Sequence, residues 1–158
     1  MTAIKVRPVS VAKLPKLKKM FQRALHEDFA YFPGEYIEKV SRDNSTWHFL
    51  RAKLNPNRIV LGLFDDNSLI GYAIADTSLA TDSDIFWFYI VPERRGQGLG
   101  KSFFQELLGE MERAGTKHVY LITHNQRDFY ERFDFSTQEE NSELFDGITM
   151  YEMSKDLS

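Results

Sequence analysis

The sequence predicts one α/β domain built on a mixed sheet, in the order strand, two helices, three strands, helix, strand, helix, two strands. Three stretches predict it. An apolar run from Ile85 to Val91 reads as a buried strand and feeds a glycine-rich turn. From that turn an amphipathic helix opens at Lys101, with apolar residues at 103, 104, 107, 108 and 111. The next strand, His118 to Thr123, follows the stop Ala114-Gly115, so strand, helix and strand form a parallel pair by a right-handed crossover. Upstream, Arg58 to Phe64 and Leu69 to Ala75 are strand-like and separated by Asp65-Asp66-Asn67-Ser68, a hairpin and hence an antiparallel pair.

The remaining elements follow in chain order. Ile4-Lys5-Val6-Arg7 alternates and ends at Pro8, as a half-buried first strand does. Apolar residues at 14, 17, 20, 21, 24 and 25 mark a helix, in which Pro15 is tolerated only in the first turn. His26 to Pro33, with Phe29, Tyr31 and Phe32, reads as a loop or broken helix. Ser45 is a candidate cap for a second helix carrying Trp47, Leu50 and Leu54, stopped by Asn55-Pro56-Asn57. A polar interval at 77 to 84 precedes the strand that enters the glycine turn. Beyond Asn125, Phe129 and Phe133 lie one helical turn apart and bury the same face, with Tyr130 beside them. Ile148 to Met153 closes the chain as an alternating strand.

A chain of 158 residues suits a single domain spanning 1–158, large enough to bury roughly two thirds of its unfolded surface. Hydrophobic content of 42% with 27% charged residues is ordinary for a globular protein, and no apolar run approaches the roughly 18 residues of a membrane span. Met1-Thr2-Ala3 leads straight into a strand pattern without a leader-like segment, so the cytoplasm is the expected location. With no cysteine, disulfides, thiolate catalysis and cysteine-ligated metals are excluded. A net charge of −3 provides no general attraction for nucleic acid, and the basic run Lys13, Lys16, Lys18, Lys19 and Arg23 reads as a solvated helix face.

Gly96, Gly98 and Gly100 alternate, so consecutive backbone N–H groups can turn inward at the positive end of a helix dipole, a setting that suits a phosphate. Spacing separates the families that use this physics. A P-loop needs its first glycine at position 95, which holds Arg95. The dinucleotide fingerprint needs a glycine at 101 or 103, which hold Lys101 and Phe103. What fits is Arg/Gln-x-x-Gly-x-Gly/Ala, as Arg95-x-x-Gly98-x-Gly100, and it resembles the acetyl-CoA pyrophosphate loop of the GNAT N-acetyltransferases. Phe129-Tyr130-Glu131-x-x-x-Phe135 resembles a second motif of that family, Phe-Tyr-Glu-x-x-Gly-Phe, with Asp134 where glycine is usual.

The resemblance covers the whole chain and implies the GNAT acyl-CoA N-acyltransferase fold, in which the fourth and fifth strands splay apart around the donor. It implies acetyl-CoA as cosubstrate, no metal, and an acetyl-CoA-dependent N-acetyltransferase. For the donor it assigns the backbones of Phe88 and Ile90 to the pantetheine arm and acetyl carbonyl. It further assigns Arg95, Gly96, Gln97, Gly98, Leu99, Gly100 and Lys101 to the pyrophosphate, with charge from Arg95 and Lys101, and adds Asn125. Tyr130 falls on the family's general acid: a phenol of pKa about 10 is protonated at neutral pH and can donate to a departing thiolate. An alkyl ammonium must lose a proton before it attacks. Asp84 is the first candidate base, acting through water; His124 is its rival, with Glu27 and Asp28 behind and solvent as the alternative. The expected acceptor is a primary amine of a small molecule or peptide, with no nucleic acid or membrane partner and a homodimer left open. A non-catalytic acyl-CoA-binding module and a nucleotide kinase are the competing readings.

Overall fold

In the computed structural model, which describes residues 3–157, one sheet of 7 strands carries helices on both faces. Met1, Thr2 and Ser158, the ends of the expected domain range, lie outside the described residues. Strand β1 (Ile4–Pro8) leads through a 3-10 turn into three helices, α1 (Leu14–Glu27), α2 (Gly34–Asp43) and α3 (Thr46–Leu54). Then come β2 (Arg58–Asp65), β3 (Ser68–Leu79), β4 (Asp82–Ile90), α4 (Leu99–Arg113), β5 (His118–Thr123), α5 (Arg127–Glu131), β6 (Ser136–Phe145) and β7 (Ile148–Asp156). Across the sheet the order is β1-β2-β3-β4-β5-β7-β6, and β4–β5 is its parallel pair. The predicted fold class and crossover are therefore present.

Each face has its own core. Leu14, Leu17, Met20, Phe21, Ala24 and Leu25, the apolar positions of the α1 period, are all buried against Val60, Tyr72, Ile74 and Tyr89. On the other face Phe103, Phe104, Leu107 and Met111 of α4 pack on Leu61, Ala73, Val119 and Leu121. Pro15 sits in the first turn of α1, where its missing N–H costs nothing. Ser45 caps α3, its hydroxyl accepting from the His48 N–H at 3.1 Å.

Two departures from the sequence reading have local causes. Helix α2 adds one helix to the predicted order: only Ile37 is buried in it, and Lys18 Nζ holds its C-terminal end by donating to the carbonyls of Ser41 and of Asn44, the latter at 2.8 Å. Lys18 is thus a staple rather than part of a solvated face, and Arg23 likewise joins Glu27 and Glu93. The supposed polar interval at 77 to 84 is mostly ladder, because β3 runs to Leu79 and β4 starts at Asp82. Ala80, at φ 48°, makes the turn between them.

A bulge re-aims the second half of β4. Ile74 faces Trp87 while Ala75 faces Ile85, leaving Phe86 as the extra residue. Beyond it Trp87 and Tyr89 join the core under α1, and Phe88 and Ile90 join the core under α4. Asp134 has φ 66°, so it adopts the left-handed conformation that its glycine-like place in the motif requires.

Candidate active site

The parallel strands separate. β4 and β5 pair at Asp82/His118, Ser83/Val119 and Asp84/Tyr120 and no further, while β5 stays tied to β7 as far as Thr123. At the closed end the buried hydroxyls of Ser83 and Thr116 share a hydrogen bond of 2.6 Å. Above it opens a cleft of about 890 Å³. The Val91 N–H donates to Ile70 O at 2.9 Å, so odd-numbered residues at this end of β4 address β3. By alternation the peptide groups of Phe88 and Ile90 turn toward the open edge. The Ile90 carbonyl is occupied there, accepting from Arg95 Nε at 2.8 Å.

The glycine turn lies at the mouth of this opening. Gly96 and Gly98 have φ of 75° and 78°, and a Cβ on either would meet no atom within 4 Å. From Gly96 through Gln97, Gly98, Leu99 and Gly100 to Lys101, no backbone N–H donates to another group among the described residues. These donors run into the first turn of α4, where the helix dipole adds positive potential. Gly100 packs close to Phe129, whose ring would lie 3.4 Å from an added Cβ. Lys101 and Arg132 line the cleft without ion pairs among the described residues; Arg132 occupies an unspecified position of the second motif.

Arg95 departs from the expected geometry. Its guanidinium turns away from the turn, pairs with Asp28 Oδ2 at 2.5 Å and lies 5.2 Å from the Tyr89 ring centroid. Arg95 therefore fastens the end of α1 to the open edge of β4, and Asp28 balances its charge.

Tyr130 and Asn125 reach the cleft from the opposite arm. Phe104, Phe129 and Phe135 surround the Tyr130 ring at 5.2 to 6.0 Å, which fixes it, while its hydroxyl has no hydrogen-bond partner among the described residues. Burial pushes its pKa up, so the phenol keeps its proton throughout the neutral range.

The candidate bases part company. Asp84 is not on the cleft wall: it faces Asp76 across the β3–β4 ladder at the point where the fork closes. Burial, with Asp76 and Asp82 nearby, raises its pKa. Glu27, Asp28 and His124 do line the cleft. Glu27 is engaged by Arg23 and Asp28 by Arg95, whereas His124 Nδ1 meets the Thr149 carbonyl at 2.7 Å. Facing them is an aromatic wall that the sequence reading only partly found. Phe29, Tyr31, Phe32 and Tyr36 belong to the aromatic segment from Phe29 to Trp47 that it singled out; Phe145 does not. Phe32, Tyr36 and Phe145 meet at centroid distances of 4.9 to 5.0 Å, joining α2 to the β6–β7 hairpin.

Comparison with known proteins agrees with this geometry. A model of the GNAT acetyltransferase domain matches residues 28–157. A spermidine N(1)-acetyltransferase of Thermoplasma acidophilum is 25% identical over 153 residues, covering 90% of this chain and 94% of that protein. A ribosomal protein bS18-alanine N-acetyltransferase of Haemophilus influenzae is 28% identical over 95 residues, 57% of this chain and 64% of that protein. Among solved structures, the PaiA N-acetyltransferase of T. acidophilum in complex with coenzyme A aligns with a TM-score of 0.81 at 24% identity, covering 98% of this chain and 99% of that one. With a family model spanning most of its length and a forked sheet beside an open glycine turn, the chain belongs to the GNAT acetyltransferase family.

Proposed function

We propose that this protein transfers the acetyl group of acetyl-CoA to a primary amine of a small molecule or peptide by direct attack in a ternary complex. The observation that carries the reading is the conjunction in one cleft of a parted strand pair, unpartnered N–H groups from Gly96 to Lys101, and a buried tyrosine with a free hydroxyl. The pantetheine arm lies along the open edge of β4, where its amides pair with the peptide groups of Phe88 and Ile90 as an added strand would. The pyrophosphate rests on the glycine turn, with Lys101 and Asn125 beside it. Attack on the thioester generates an oxyanion, for which the Ile90 N–H is the donor at the open edge. Tyr130 then protonates the thiolate as the carbon–sulfur bond breaks. No cysteine is present to carry the acyl group, so a single displacement is the direct route.

The relatives act on spermidine and on an alanine of ribosomal protein bS18 by their names, and both acceptor types belong in the test. Acetyl-CoA is incubated with spermidine, shorter diamines, arylalkylamines and an alanine-led peptide, with free thiol and acetylated product measured separately. Turnover with at least one amine is expected. Tight acetyl-CoA binding with no product across the panel would return the protein to an acyl-CoA-binding role.

A further inference from the structure

Of the groups on the cleft wall, His124 has its tautomer fixed by a backbone carbonyl outside the cleft. A backbone carbonyl only accepts, so the 2.7 Å contact with Thr149 O requires Nδ1 to carry hydrogen in either charge state. The proton that comes and goes is therefore the one on Nε2. The ring is held in place by a second contact, with the Tyr31 ring at 4.6 Å. His124 directly follows β5, the arm facing the open edge of β4, and lines the same cleft as Tyr130.

We infer that His124 Nε2 accepts the proton of the incoming ammonium, with Thr149 fixing the tautomer that leaves this nitrogen free. The inference rests on the acetyltransferase reading of the cleft. The other candidates are engaged or displaced: Glu27 by Arg23, Asp28 by Arg95, and Asp84 below the fork. The proton balance is complete. One proton passes from the ammonium to Nε2 and on to solvent. The neutral nitrogen attacks, a carbon–nitrogen bond forms, and the carbon–sulfur bond breaks as Tyr130 gives its proton to sulfur. The second proton of the acetylated nitrogen returns to the Tyr130 phenolate through water.

The charged and titratable groups around the ring come from several elements. From the 28–33 segment comes Tyr31, whose phenol is pushed up to about 12 by burial, Asp28 and Tyr36 and so stays neutral. From β7 come the Thr149 carbonyl and, paired with Thr123 beside the histidine, Tyr151. Across the cleft Glu27 and Asp28 are ion-paired with arginines, and Lys101 and Arg132 line its wall.

The test is the pH profile of kcat/KM for His124→Gln on an acceptor of amine pKa near 10, with acetyl-CoA affinity measured calorimetrically on the same protein. Expected are a loss of about 100-fold at pH 7, shrinking to a few-fold by about pH 9.5, and a smaller loss at every pH on an acceptor of low amine pKa. Acetyl-CoA affinity should stay at the wild-type value, and added imidazole should partly restore His124→Ala. A pH-independent loss without imidazole rescue would assign His124 a packing role and overturn the inference. So would a deficit of the expected pH shape appearing in Asp84→Asn and not in His124→Gln. Failure of wild-type turnover across the amine panel is a separate result, striking the acetyltransferase reading itself.

Discussion

Gly98→Ala tests the donor site, and its effect divides into two measurable parts. Gly98 caps α4 at φ 78°, and an added Cβ meets nothing within 4 Å, so the folding cost is backbone strain alone. For a residue with a Cβ that strain is about 1–2 kcal/mol, or about 2–8 °C in melting temperature for a domain of this size. The second part concerns the ligand. A methyl group standing in the arc of N–H groups from Gly96 to Lys101 holds the pyrophosphate away from one of them, and a hydrogen bond to a charged group contributes about 1.5–3 kcal/mol. Acetyl-CoA affinity should fall about 10- to 150-fold by calorimetry. Gly115→Ala is the matched control: φ there is 95°, the site is equally open, and it lies at the far end of α4. Both variants should melt lower by similar amounts, and only Gly98→Ala should lose affinity. If the two folded proteins bind acetyl-CoA equally well, the glycine turn does not hold the pyrophosphate.

Tyr130→Phe should lower kcat and kcat/KM together by about 10²- to 10⁴-fold in steady-state assays with chemistry rate-limiting, leaving acetyl-CoA affinity and melting nearly unchanged because the hydroxyl has no protein partner among the described residues. A large drop in melting temperature would instead reveal a structural hydroxyl. Gly71→Ala places a Cβ 2.7 Å from the Tyr89 carbonyl oxygen on the neighbouring strand, so denaturant melts should show a loss of about 1–3 kcal/mol. At the crotch of the fork, Ser83→Ala leaves the Thr116 hydroxyl buried without its 2.6 Å partner and should cost about 1–3 kcal/mol. Combining it with Thr116→Val should cost less than the sum of the single changes, and strict additivity would mean the two hydroxyls do not depend on each other.

What could be read from the sequence was whatever is local. The α1 period, the Ser45 cap, the hairpin at Asp66-Asn67 and the strand–turn–helix around Gly98 are each written within a few residues, and each is where the pattern put it. Helix α2 was missed because little of its stability is in its own pattern: one buried side chain, and a C-terminal end held by Lys18 from α1. Strand β6 is counted in the predicted order but has little alternation to fix its bounds, since as a sheet edge it leaves Gln138 to Glu140 and Ser142 to Leu144 exposed. Asp84 illustrates the limit at the site. Its spacing from Ile90 is visible in sequence, but the last β4–β5 pair at Asp84/Tyr120 is a long-range fact, and it decides which side of the fork the carboxylate occupies. Arg95 carries the motif, yet Asp28, 67 residues away, decides where its guanidinium goes.

The parted strands also bear on how long the folded protein lasts. A strand edge without a partner is a standing invitation to another chain, and here it sits inside the sheet rather than at its rim. Acetyl-CoA bound along it would act as the missing strand, so the donor would complete the architecture as well as react on it. At a hundredfold excess over its dissociation constant, a ligand specific for the native state adds about 2.7 kcal/mol to the resistance against unfolding. The lifetime of the protein would then rise and fall with the supply of its own donor, and a starved cell would hold less of it without any change in synthesis.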